Sequence, residues 1–188
     1  MNKKKIAVLT IIIGVMSYAA YQTGKSKVNQ KNQRAVEVNM TSSAKNNRKF
    51  DYYSENEIRS ELQKVRVDKK SIETFLLANR TALSRDIPLQ QKKDMFMKAV
   101  KEDSKNYLAI AALGKIAFAQ DDRSASINYY KKVIEINPRF QKGYENLIKR
   151  YEDFQDYENL KTTAEQLMKL YPEDPVSYDG LYHYFKYK

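Results

Sequence analysis

Pro138 and Pro172 stand 34 residues apart, and the residues before each proline fall into one spaced pattern. With the proline numbered 32, Ile110, Leu113, Gly114, Ala117, Tyr130 and Val133 occupy positions 4, 7, 8, 11, 24 and 27 of one copy. Tyr144, Leu147, Ile148, Tyr151, Ala164 and Leu167 occupy the same positions of the next. A partial third copy supplies Tyr178, Leu181, Tyr182 and Phe185 at positions 4, 7, 8 and 11. Positions 4, 7, 8 and 11 share one face of a helix, and 24 and 27 lie on a face of a second. The two faces can pack against each other as a helical hairpin, and successive hairpins in one register can stack.

A helix-turn-helix period of 34 residues with this pattern resembles the tetratricopeptide repeat (TPR). The resemblance implies an all-α fold, a TPR-like helix-turn-helix α-solenoid, with repeats at 107–140 and 141–174 and a capping helix at 175–188. Small residues are expected at positions 8 and 20, where paired helices cross closely. Gly114 and Ser126 meet this, whereas Ile148 and Leu160 do not, and the small residue of the second copy is Ala164 at position 24. Such a large-for-small exchange keeps volume but changes shape, so the 140–170 hairpin is expected to be the less regular. In the third copy, Tyr178, Leu181, Tyr182 and Phe185 are expected to pack inward, with Tyr184 and Tyr187 exposed.

Upstream, Ser54 and Glu57 have capping-box spacing, and Ile58, Leu62 and Val65 share a face, which predicts a helix over about 55–66. Asp68 or Ser71 opens a second helix with an apolar stripe of Ile72, Phe75, Leu76 and Leu83. Ile87 and Pro88 break the chain, and a third helix carries Leu89, Phe96, Ala99 and Val100. Counting the 34-residue period back over 73–106 puts Leu76, Leu83, Phe96 and Ala99 at positions 4, 11, 24 and 27. Asn79, Arg80 and Lys92 break positions 7, 8 and 20, so residues 51–106 read as a helical region with a degenerate TPR-like repeat.

The net charge of +11 is not spread along the chain. Residues 1–50 hold ten Lys/Arg and one acid (Glu37), leaving 24 bases against 22 acids in 51–188. A near-neutral domain lacks the basic face that nucleic-acid binding needs. No charged residue interrupts Ile6 to Gly24, and Lys3, Lys4 and Lys5 precede it. About 20 mostly apolar residues span a bilayer, so 1–24 reads as a signal anchor or a signal peptide. Tyr18 and Tyr21 suit an interfacial belt and favour the anchor, with membrane contact through residues 6–24. Basic residues flank both ends; the export-like architecture favours the repeats on the extracytoplasmic side of a bacterial cell envelope, with a cleaved secreted or periplasmic form as the alternative. Residues 25–50 are polar, basic and without an apolar period, which predicts a disordered linker.

Chemistry has little to work with. The chain has no cysteine, one histidine (His183) and five glycines, none in a phosphate loop. The acid pairs Asp121–Asp122 and Glu173–Asp174 fall at turns and suit helix N-termini. No enzyme, cofactor or metal reading follows. The TPR resemblance instead implies a ligand groove lined by positions 2, 5, 6, 9, 12 and 13 of each first helix. The first copy offers Leu108, Ala111, Lys115, Phe118 and Ala119; the second, Lys142, Glu145, Asn146, Lys149, Glu152 and Asp153; the third, Val176, Asp179, Gly180 and His183. Asn146 matches one element of the clamp by which some TPR domains grip a peptide carboxylate, but Ala111 and Lys115 depart from the rest of it. Expected, then, is a membrane-tethered, non-catalytic adaptor or scaffold that binds a protein or peptide partner. The alternative is a self-associating subunit of an envelope complex.

Overall fold

The computed structural model describes residues 54–187; the segment read as anchor or signal peptide and the basic linker lie outside the described residues. Among the described residues eight helices run in order: α1 Glu55–Lys64, α2 Lys69–Thr81, α3 Leu89–Glu102, α4 Tyr107–Ala119, α5 Arg123–Ile136, α6 Gln141–Asp153, α7 Tyr157–Leu170 and α8 Pro175–Tyr187. No strand occurs among the described residues. From α2 onward the chain is a row of hairpins, α2/α3, α4/α5 and α6/α7, closed by α8.

The hairpins are built to one measure. Helices α2, α4, α6 and α8 each have 13 residues, and α3, α5 and α7 each have 14. The α4/α5 and α6/α7 turns share one solution. The chain leaves α4 through Asp121 (φ 57°) and α6 through Gln155 (φ 59°), both in the left-handed region. Asp122 N donates to Ala117 O at 2.9 Å and Asp156 N to Tyr151 O at 2.8 Å, closing Schellman motifs without glycine. The same Asp122 and Asp156 then cap the next helix, accepting from Ala125 N and Asn159 N. The acid at this turn is thus consumed by helix capping.

The region expected to hold a degenerate repeat contains a regular one with an insertion. The α2–α3 turn runs from 82 to 88, against 120–122 and 154–156 in the later hairpins. Lys69 opens α2 38 residues before Tyr107 opens α4, whereas Tyr107, Gln141 and Pro175 follow at 34. Four residues are close to one helical turn, so the apolar stripe still matched when counted at the wrong offset. Leu76 is the eighth residue of α2, not the fourth, and Leu83 lies past the helix end, 42% exposed. Ile72, Phe75, Leu76 and Ala78 form the buried face.

Each first helix is pinned to the one before it by the residue at its N-terminal edge. Asn106, fully buried, donates from Nδ2 to Ser71 Oγ (2.9 Å) in α2 while its Oδ1 caps α4. Phe140 packs its ring 4.8 Å from that of Tyr107 at the start of α4. Asp174 accepts a hydrogen bond from Gln141 Nε2 at the start of α6. Tyr144 Oη and Tyr178 Oη each donate to the carbonyl six residues back, on Pro138 and Pro172, fixing the same turns.

The crossing residues behave differently in the two copies. Ser126 Oγ donates to Gly114 O at 2.9 Å, and a Cβ on Gly114 would lie 3.0 Å from Tyr130 Cζ. In the second hairpin Ile148, Leu160 and Ala164 are all buried. The surplus is absorbed from outside the hairpin. A Cβ on Gly180 in α8 would meet Ile148 Cγ2 at 3.1 Å and Ala164 Cβ at 3.3 Å. Helix α8 buries Ser177, Gly180 and Leu181, with Tyr184 packed beside them. Tyr182 and Phe185 are 46% and 45% exposed, contrary to their expected inward packing. Positions 8 and 11 face the second helix of their own repeat, and the third copy has none among the described residues.

Ile148→Gly removes a buried side chain from a site whose neighbours are already placed, and it should destabilise by roughly 4 kcal/mol or more in urea unfolding. Gln155→Gly relieves a left-handed residue outside any helix and should stabilise by about 0.5–1 kcal/mol in the same assay. Burial raises the hydroxyl pKa of Tyr130, Tyr144 and Tyr151 above the ordinary tyrosine value. The fold therefore keeps their full contribution below about pH 10 and loses it as pH rises further. Helicity followed by circular dichroism should fall in that alkaline window, and less steeply in Tyr130→Phe.

Candidate functional site

With helix starts aligned, the groove positions of four first helices can be compared: α2, α4, α6 and α8. The fifth residues are Glu73, Ala111, Glu145 and Asp179; the ninth are Leu77, Lys115, Lys149 and His183. Two pockets open along this face and meet at Asn146. The first, about 60 Å³, is mainly apolar: Ile58, Phe75, Leu108, Ala111, Ala112 and Phe140, with Asn79, Lys115, Lys142 and Asn146 at its walls. The second, about 260 Å³, is polar, lined by Glu145, Asn146, Ile148, Lys149, Glu152, Val176, Asp179 and Gly180.

Eleven of the fifteen groove residues offered by the sequence fall on these linings; Phe118, Ala119, Asp153 and His183 do not. Leu108, Lys115 and Lys142 border the apolar pocket, Glu145, Lys149, Glu152 and Asp179 the polar one, and Asn146 both. Phe118 borders neither. Its ring lies 5.9 Å from that of Phe154, and the Arg150 guanidinium stacks 3.6 Å from its centroid while pairing with Asp153 at 2.7 Å. Phe118 is engaged by its own fold at the far end of α4.

Several polar groups are also committed internally. Asn146 Nδ2 donates to Lys142 O at 2.7 Å, so its amide serves its own helix rather than a carboxylate clamp. Lys142 pairs with Glu145. His183 Nδ1 faces Glu152 Oε1, an ion pair when the imidazole is protonated. Gly180 is a packing residue, since a Cβ there would press on Ile148 and Ala164. Lys149 and Asp179 are exposed. Sequence reasoning missed Ile58, Phe75, Asn79 and Phe140; a count of 38 rather than 34 back from Tyr107 puts Phe75 and Asn79 at positions 7 and 11, outside the groove positions, so the period alone does not reveal them.

The groove does not begin open. Helix α1 ends four residues before α2, where a preceding repeat's second helix would end, but it does not take that helix's place. Arg59 forms a bidentate pair with Glu73, the fifth residue of α2, and Glu55 pairs with Arg80, the twelfth. The Arg59 guanidinium holds the Glu73 carboxyl below the usual carboxylate range. Tyr107 Oη donates to Glu61 Oε2 at 3.0 Å, and Ile58 shares the apolar pocket with α4 and α6 residues. Contacts that far along the row are open only to a helix crossing the inner face.

No group of acidic or histidine side chains suited to a metal ion occurs among the described residues, and no helix there is long and apolar enough to cross a membrane. No protein-family model matches the chain, and no curated protein matches it by sequence. Solved structures do. The TPR domain of Sgt2 from Aspergillus fumigatus superposes with a TM-score of 0.54 at 13% identity, over 65% of this chain and 81% of that one. The first TPR of Spaghetti (RPAP3), bound to the HSP90 peptide SRMEEVD, gives 0.56 at 15% identity, over 64% and 94%. The Arabidopsis OM64 TPR domain gives 0.52 at 11%, over 66% and 98%. The fold is that of a TPR domain. At these identities the likeness concerns architecture, and function rests on the site itself.

Proposed function

We propose that this chain is a non-catalytic adaptor that binds a segment of a partner protein along its inner face, held at a membrane by residues 6–24 with the repeats on the extracytoplasmic side. The observation that carries the reading is that two pockets of unlike character, one apolar and one polar, border the same Asn146 on this face. One end accepts an apolar side chain and the other presents Glu145, Lys149, Glu152 and Asp179, which supplies both an anchor and polar selectivity. The solved TPR domain of RPAP3 with its bound HSP90 peptide supports the reading by analogy of fold. The uncharged run from Ile6 to Gly24 behind three lysines supports the tether.

Photocrosslinking amino acids at Lys115 and Lys149 in cells should capture a defined protein, and the same groups at Lys98 and Glu165 on the second helices should not. Equal capture from both faces would overturn the reading. For the tether, protease added to intact spheroplasts should digest the repeats; protection would place them in the cytoplasm.

A further inference from the structure

The inner surface of the first repeat is already occupied by a helix of the same chain. Three observations describe that occupant. Ile58 and Leu62, one turn apart on α1, are 4% and 0% exposed and face Phe75, Leu108 and their neighbours. Glu55 and Arg59 meet Arg80 and Glu73, which stand at groove positions of α2. Glu61 reaches Tyr107 at the start of α4. The array reads acid, apolar, base, acid, apolar over Glu55, Ile58, Arg59, Glu61 and Leu62. Glu55 and Arg59 have their complements at groove positions of α2, Ile58 borders the apolar pocket, and Glu61, also paired with Lys64, reaches Tyr107.

This occupant fits incompletely. The apolar pocket of about 60 Å³ lies directly against Ile58. Asn79 Oδ1 is buried beside it with no hydrogen-bond partner, a state native interiors seldom leave in place. The two ion pairs at the rim are between a third and two thirds exposed, the kind that holds a helix only weakly. By contrast the connection to α2 is firmly tied. Asp68 N donates to Asp103 Oδ2, and Lys105 Nζ donates to Arg66 O. The α1–α2 turn is therefore a fixed pivot at one end of a helix whose rim pairs are weak and whose apolar seat is incompletely filled.

We propose that α1 is a ligand mimic held in cis, occupying the place where an amphipathic helix of a partner protein with the same charge and apolar array binds. The proposal rests on the protein-binding reading above and deepens it by naming the partner's chemistry. On displacement, the groove lengthens by the first repeat, exposing Glu73, Leu77 and Arg80 to the incoming helix. A helix that also fills the pocket beside Ile58 and donates to Asn79 Oδ1 outcompetes α1, because it satisfies what α1 leaves open.

The test uses the full-length chain and a fluorescein-labelled peptide of residues 54–67 supplied in trans. Opening α1 with Ile58→Asp should raise peptide affinity at least roughly tenfold over the unmodified chain, since less of the protein then holds the groove closed. The peptide carrying Ile58→Asp should not bind. Arg59→Glu, at the exposed rim, repeats the test without touching the core if Ile58→Asp fails to give a cooperative melt. Equal peptide affinity in the open and unmodified chains would overturn the proposal. So would a concentration-dependent dimer of the unmodified chain that exchanges α1 between copies and takes up no peptide. If the peptide result fails while crosslinks from Lys115 and Lys149 persist, α1 is a fixed wall and protein binding stands. If those crosslinks also fail, the binding reading itself falls.

Discussion

An inner face exists in this protein because each first helix is fastened, at its N-terminal edge, to the first helix before it. The fastening residue is Asn106, Phe140 or Asp174, always the last before the helix begins and always buried. Its chemistry changes from an amide hydrogen bond to an aromatic contact to a carboxylate hydrogen bond. Its place does not. Fastening at one edge sets the lateral spacing of α2, α4, α6 and α8, and that spacing decides which side chains can converge. The second helices, α3, α5 and α7, fill the outer layer and supply the core against which the first helices lean.

Much of this was legible because a TPR-like unit writes its geometry in short-range pattern. Helix lengths, the prolines that end each copy, and the small residues Gly114 and Ser126 all act within one period. The first repeat escaped because its four extra residues amount to about one turn, which leaves a helical stripe in apparent register. Tyr182 and Phe185 escaped for a different reason. Their positions are buried by a partner helix within the same repeat, and a pattern cannot report that the partner is missing from the described residues. The large residues Ile148 and Leu160 were read as a disturbance within one hairpin; Gly180, in the next copy, is what accommodates them.

The candidate site was legible as a face but not as a surface with an occupant. Positions along α4 and α6 gave the linings of both pockets, since the groove positions of a TPR helix follow from its register. Nothing local announced that Phe118 would be taken up by Arg150, or that Glu73 and Arg80 would be answered by α1. Those contacts join residues 14 to 32 apart, beyond the reach of a helical period. Charge told the same story at low resolution: a domain with 24 bases and 22 acids spends many of them on one another, so counting them overstates what remains for a ligand.

From α2 onward the helices meet chiefly their neighbours in the chain, so each hairpin can consolidate soon after its own residues are available. Helix α1 is the exception, since its seat is made of residues as late as Tyr107 and Phe140. During synthesis it can pair with Glu73 and Arg80 of α2 early, but the α4 and α6 part of its seat is made later. The first helix in the described order is thus among the last to be fully seated, since its final contacts form only when the α4 and α6 walls are in place.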